Sequence, residues 1–237
     1  MSNQTKTVGR AVGILYILGT VFGILSVAVT SSISGSDDML GSVASHETEL
    51  ALGALLVLAM GFVLAMIPVV AYPILSKVDT LLARGYFLFR SVLEAVAYLM
   101  TAVGWLLLLT LSRSTEVPQV WGEALFHQEG VAATLTIVFL IGAAMFYFVL
   151  YRARLVPRWL SAWGLVAIVP YLVPVFLGLF SDVDVSTTST TAVLLDLPLG
   201  LQEMVLAVWL IVKGFNTTPQ FESQGKPDLP VVQGGTT

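Results

Sequence analysis

Long apolar runs separated by short polar stretches dominate this chain, and neither the period-2 pattern of strands nor a one-sided helical stripe organises them. Six runs are long enough to cross a bilayer, which takes about 20 predominantly apolar residues per helix. They extend from about Gly9 to Val29, Leu50 to Leu75, Gly85 to Leu111, Gly130 to Tyr151, Trp159 to Phe180 and Ala192 to Val212. Each is apolar nearly all round, as helices buried in a bundle or facing lipid are. Several exceed the minimum length, so tilt or interfacial overhang is expected. The pattern predicts an all-α polytopic membrane protein with one six-helix bundle over residues 9–213. A short segment, 1–8, precedes it. The tail 214–237 loses the apolar pattern and is rich in Pro, Gly and polar residues, which predicts disorder.

The first run has a positive flank in Lys6 and Arg10, as a signal peptide would. Its apolar part is longer than the roughly 7–15 residues of a cleaved core, and no A-x-A site follows. A retained helix is the expectation.

Composition agrees with the pattern. The chain is 57% hydrophobic and 11% charged, against about 25% charged in soluble domains. Its mean hydropathy is +0.89. The absence of cysteine excludes disulfides, thiolate metal sites and cysteine nucleophiles. No phosphate-binding glycine loop, H-E-x-x-H or G-x-S-x-G motif is present, and nothing points to nucleic acid or a cofactor. Glu123 and His127 are four apart, but no second histidine is near in sequence, so no metal site is expected.

The formal charge of −4 matters less than its distribution. Assigning loops to alternate sides puts Lys6, Arg10, Lys77, Arg84, Arg152, Arg154, Arg158, Lys213 and Lys226 on one side. Arg113 alone falls on the other, with Asp37, Asp38, Glu47, Glu49, Glu116, Glu123, Glu129, Asp182 and Asp184. The positive-inside rule then predicts cytoplasmic N- and C-termini in a cell inner (cytoplasmic) membrane. Tyr72, Tyr147, Tyr151, Trp159 and Trp209 on the inner side, and Trp105 and Phe180 on the outer, are read as interfacial anchors. Residues 76–84 and 152–158 read as tight inner turns, and 30–49 as a mobile external loop. Val117, Trp121 and Leu125 are spaced four apart in the loop 112–129, which suits either a short interfacial helix or a plain loop.

Within the apolar runs a few ionisable residues stand out. An ionised side chain at the centre of a bilayer costs roughly 2.5–3.5 kcal/mol on insertion scales, so such residues need partners or water. Tyr86, Arg90, Glu94 and Tyr98 recur every four residues along one face of the third span. Glu94 falls about 13 Å along that span if it starts near Gly85. On the sixth span, Gln202 and Glu203 lie near the middle, with Asp196 about two turns nearer the outer end. One arginine cannot compensate two or three carboxylates, which requires a protonated carboxyl, water, an ion or a ligand cation. Pro68, Pro73, Pro170 and Pro174 interrupt backbone hydrogen bonding in the second and fifth spans, as in the broken helices of transporters, though proline is common in membrane helices. Gly19 and Gly23 have the G-x-x-x-G spacing that lets helices approach, and Gly13 joins them. A glutamate ends each half of three spans, which raises a pseudo-symmetric inverted repeat as a possibility.

At these residues the chain resembles a prokaryotic membrane-protein family catalogued as domain of unknown function 4386. Arg10-Ala11-Val12-Gly13-Ile14-Leu15-Tyr16 is similar to that family's R-x-x-G-x-L-Y opening, and Phe89-Arg90-Ser91-Val92-Leu93-Glu94-Ala95 to its F-R-x-x-x-E/Q-A segment. Leu155-Val156-Pro157-Arg158 and Tyr171 resemble the L-P-R start and the later tyrosine of its fifth helix, with Ser161 where glycine is commoner. Glu203, Leu206, Trp209, Leu210, Lys213 and Gly214 resemble its closing E-x-x-x-x-x-W-L-x-x-K-G. The resemblance spans about residues 7–214 and implies a six-helix integral membrane protein, with no activity attached.

Three functions fit the residues. The first is binding or transport of a small molecule or ion at an intramembrane polar site built from Arg90, Glu94, Tyr98, Gln202, Glu203 and Asp196. The second is a non-catalytic partner or regulator of unspecified membrane proteins, in which the same residues form a structural clamp. The third is an intramembrane lipid-modifying enzyme. Only Ser91, Tyr98 and Thr101 stand near Glu94 as nucleophiles, which argues against it. The lipid bilayer is the one partner that the composition itself implies.

Overall fold

The computed structural model describes residues 2–34, 36–114, 117–180 and 189–216, all of them helices and short connections. The spans are α1 (Ser2–Val29), α4 (Glu47–Leu75), a third helix in three parts, α8 (Glu129–Ala153), α9 (Arg158–Phe180) and α10 (Thr190–Val212). The third span consists of α5 (Thr80–Phe87), a π-helical turn (Leu88–Leu93) and α6 (Glu94–Leu111). Among the described residues six helices are long and apolar enough to cross a membrane, so the protein is a multi-pass membrane protein. The short helices α2 (Ser31–Ser34), α3 (Met39–Ser45) and α7 (Gln119–His127) lie between spans.

The spans form a closed ring. Each packs against its sequence neighbours, and α10 returns to α1. Lipid tails are as apolar as leucine, so these contacts rest on close packing and on hydrogen bonds between helices. Gly13 carries the closure. A Cβ there would stand 2.5 Å from the Ala207 carbonyl oxygen, so only glycine admits the α10 backbone. Gly19 and Gly23 face side chains instead, those of Leu64 and Met60 on α4. None of Pro68, Pro73, Pro170, Pro174 or Pro198 ends its helix.

Helix ends follow local chemistry. Asp79 accepts from the Leu81 and Leu82 amides at 3.1 Å, capping α5 and starting the third span at Thr80, ahead of the expected Gly85. α1 likewise begins at Ser2, so the described residues of the segment ahead of Gly9 are helical. Arg154 adopts φ +53° and closes α8, with the Leu155 amide on the Leu150 carbonyl.

The two ends of the bundle differ. At one, Arg10 Nε donates to the Ile211 carbonyl at 3.2 Å, Asn216 bonds the backbone of Leu155 and Arg154, and Arg152 meets Asp79 at 3.4 Å. The start of α1, the end of α10 and the two short turns meet there, among the lysines and arginines of the described residues. The other end is capped by α2, α3 and α7. Here the expected mobile loop at 30–49 is corrected: its described residues are largely helical, with Ile33, Met39, Leu40 and Val43 buried. They form a second apolar cluster with Trp105 and Phe126, because Asp38 caps α3 and apolar side chains cover the ends of α4 and α6. Of the two readings of 112–129, the helix holds. Phe126 and Gly122 form its buried side, and Trp121 is exposed. Arg113 grips Glu47 with two hydrogen bonds of 2.9 and 2.8 Å, which raises the guanidinium pKa above its ordinary value.

Two expected interfacial anchors lie elsewhere. Tyr147 is fully buried, and Trp105 is covered by α7, its Nε1 donating to the Phe126 carbonyl at 2.9 Å. Trp159, Tyr151 and Phe180 are exposed as anchors would be. The expected disorder of the tail concerns residues 217–237, outside the described residues.

Candidate functional site

All six spans line a partly open pocket, a cavity of about 190 Å³ within the bundle. α1 supplies Tyr16, Gly19, Thr20 and Gly23; α4 supplies Met60 and Leu64; the third span supplies Arg90, Glu94 and Tyr98. Leu135, Thr136 and Phe139 come from α8, Tyr171 from α9 and Glu203 from α10.

Arg90 is the centre of the wall. Its guanidinium lies 3.4 Å from the Glu94 carboxylate, with the two side chains 3% and 1% exposed. Its Cζ is 4.9 Å from the ring centroid of Phe139 and 5.6 Å from that of Tyr16. Two aromatic faces from α8 and α1 thus flank the charge, an arrangement worth about 2 kcal/mol or more per contact when desolvated. The arginine therefore joins three spans.

The backbone beneath it is unusual. The Glu94 amide bonds the Phe89 carbonyl five residues back, and the π turn covers Leu88–Leu93. π turns are rare and concentrate at functional sites, since the extra residue re-aims the side chains on either side. Neighbouring contacts hold it. Ser91 Oγ donates to the Ala65 carbonyl at 2.7 Å, and Gly142 of α8 lies against Phe89 Cβ.

Polar atoms here are under-used. Arg90 Nε, both Glu94 carboxylate oxygens and Glu203 Oε1 are buried without a hydrogen-bond partner among the described residues. Buried polar groups are normally paired, so a cluster of unpaired ones marks a place for water, an ion or a ligand. Thr20 and Thr136 donate to their own helix carbonyls, Tyr16 at 3.1 Å and Ala132 at 3.0 Å, leaving lone pairs as acceptors. Toward the basic end, about one turn along from Tyr16, Arg90 and Glu203, lies a buried layer that includes Val12, Tyr86, Phe146, Tyr147 and Leu206. Tyr86 and Phe146 stack at 4.7 Å.

Of the residues singled out from the sequence, Arg90, Glu94, Tyr98 and Glu203 meet at this cavity. Gln202 and Asp196 do not line it. Gln202 is fully buried on the other side of its helix, where Nε2 donates to the Leu160 carbonyl at 3.0 Å and ties α10 to α9. Asp196 is half-buried nearer the capped end. Tyr86 belongs to the closing layer. Sequence reasoning passed over Thr20, Thr136 and Phe139, which carry no distinctive spacing; Tyr16 and Tyr171 it noted only within the family resemblance, not as site residues. No group of three metal-ligating side chains occurs among the described residues.

A family model described as a domain of unknown function (DUF4386) matches residues 11–214. No curated protein and no solved structure matches the chain.

Proposed function

The chain belongs to the DUF4386 family, and on that premise we propose that it binds a small molecule or ion in its intramembrane cavity, as a carrier or a sensor. One observation carries the reading: side chains from all six spans surround a 190 Å³ space whose buried charged groups lack hydrogen-bond partners. The volume is below the roughly 300–1,000 Å³ of drug-sized sites, so the ligand is small. Ionisable groups at membrane depth are rare and mark pathways and sites.

The reading includes an orientation. Lys6, Arg10, Lys77, Arg84, Arg152, Arg154, Arg158 and Lys213 gather toward one end of the bundle, which by the positive-inside rule faces the cytoplasm of an inner membrane. The cavity then lies on the outer side of the closing layer.

The clamp reading has its own support in the seating of Arg90 between Tyr16 and Phe139. A Glu203→Gln variant separates the two, since Glu94 is tied to Arg90 under either reading. Under the binding reading it reaches wild-type membrane abundance and loses ligand-induced thermal stabilisation or flux in vesicles. Loss of folded protein would favour the clamp.

A further inference from the structure

We propose that the ligand of this cavity is a small organic ammonium ion, held by the carboxylate of Glu203 and the surrounding aromatic faces. The proposal rests on the binding reading above and names its ligand class. Its first support is the balance of charge. Arg90 is committed to Glu94 and to the rings of Tyr16 and Phe139. Glu203, on α10, makes no ion pair among the described residues, and its Oε1 is buried without a partner. Of the ways to stabilise such a carboxylate, a ligand cation is the one that also uses the pocket beside it. Asp196 lies two turns away on the same helix and adds negative charge rather than compensation.

The second support is hydrogen-bond polarity. Glu203 Oε1 is without a partner, and Thr20 and Thr136 have spent their protons on their own helices, whereas Glu94 is engaged by Arg90 and the unpaired donor here is Arg90 Nε. The acceptors beyond the Arg90–Glu94 pair suit a ligand that carries N–H donors. The third is shape. A bare metal ion would occupy a fraction of the 190 Å³ and would ask for a tight set of oxygen ligands, whereas Tyr98, Phe139 and Tyr171 line this wall. Aromatic faces beside carboxylates are the chemistry that holds alkylammonium groups. The capped end agrees: among its described residues Asp37, Asp38, Glu47, Glu49 and Glu123 stand against Arg113, itself bound to Glu47. That field draws cations toward this end.

The test uses the full chain in lipid nanodiscs and four probe classes: choline and propylammonium; sodium and potassium; propionate; and glycerol. Saturable thermal stabilisation by the ammonium probes is expected. Apparent affinity should fall at least about tenfold in Glu203→Gln, and Glu203→Asp should restore part of it. Tyr171→Leu, at a ring that does not seat Arg90, should weaken choline more than propylammonium. Circular dichroism and size exclusion establish that each variant folds; if Glu203→Gln does not, Tyr171→Leu and the wild-type probe ranking still decide. Stabilisation by propionate or glycerol alone would overturn the ammonium assignment and leave the binding reading standing. Stabilisation by sodium or potassium alone would replace it with an inorganic cation site. If no probe acts and a cysteine placed at Thr136 resists thiol reagents, both readings fall.

Discussion

Arg90 and Glu94 hold each other at 3.4 Å across a stretch of backbone that is π-helical, with the Glu94 amide on the Phe89 carbonyl. The pair is almost fully removed from solvent, and its surroundings differ on the two sides. The guanidinium has two aromatic faces; the carboxylate has the cavity.

Removing one member of this pair strands the other. Glu94→Ala should destabilise the bundle by about 3–5 kcal/mol, the usual cost of an uncompensated buried charge. The double variant Arg90→Met, Glu94→Leu should recover much of that loss. Unfolding in mixed micelles gives the coupling energy. Equal losses in Glu94→Ala and the double variant would show that the pair does not act as a unit.

The cavity should be reachable by water and the layer beneath it should not. The chain contains no cysteine, so single-cysteine variants report directly. In sealed vesicles, Thr136→Cys should react with an impermeant thiol reagent applied at the capped end. Cysteine at Val12 should stay unmodified from either side. Rapid labelling at position 12 would show that the apolar layer does not close the bundle.

Closure of the ring depends on backbone approach at Gly13. Gly13→Leu should push α10 from α1, lower thermal stability by about 1–3 kcal/mol and reduce membrane abundance. Gly130→Leu, where a Cβ meets nothing within 4 Å, is the matched control and should be near neutral. A reversed ranking would remove Gly13 from the closure.

The helical cap is pinned by one indole. Trp105→Phe keeps the stacking on Phe126, 5.5 Å between centroids, but removes the bond to its carbonyl. A loss of about 0.5–1.5 kcal/mol is expected, read as faster amide exchange in α7. Arg113→Ala breaks an exposed pair and should change little.

Much of this was legible in the sequence because membrane insertion is a local requirement. A span must satisfy its own backbone and be apolar over its full length, so Leu50–Leu75 or Ala192–Val212 announce themselves. The polar face of the third span was legible for the same reason, since Arg90, Glu94 and Tyr98 share one helix. Its π turn was not: nothing in Leu88–Leu93 distinguishes it, and it is stabilised by contacts with Ala65 and Gly142 from other spans.

Gln202 and Glu203 show the limit most plainly. They are adjacent and both polar, and the sequence placed them together at mid-span. A helix turns about 100° between neighbours, so the two side chains leave it in different directions and packing decides which one lines the cavity. Packing against α9 took Gln202 for the Leu160 carbonyl and left Glu203 to the centre. The glycines divided in a similar manner. The G-x-x-x-G pair at Gly19 and Gly23 met side chains, while Gly13 met backbone. The sequence by itself determined what must be buried in lipid, where each span runs and which charges need a partner. Tertiary structure alone decided which partners those charges find, because the rotation of each helix is set by every neighbour that packs against it.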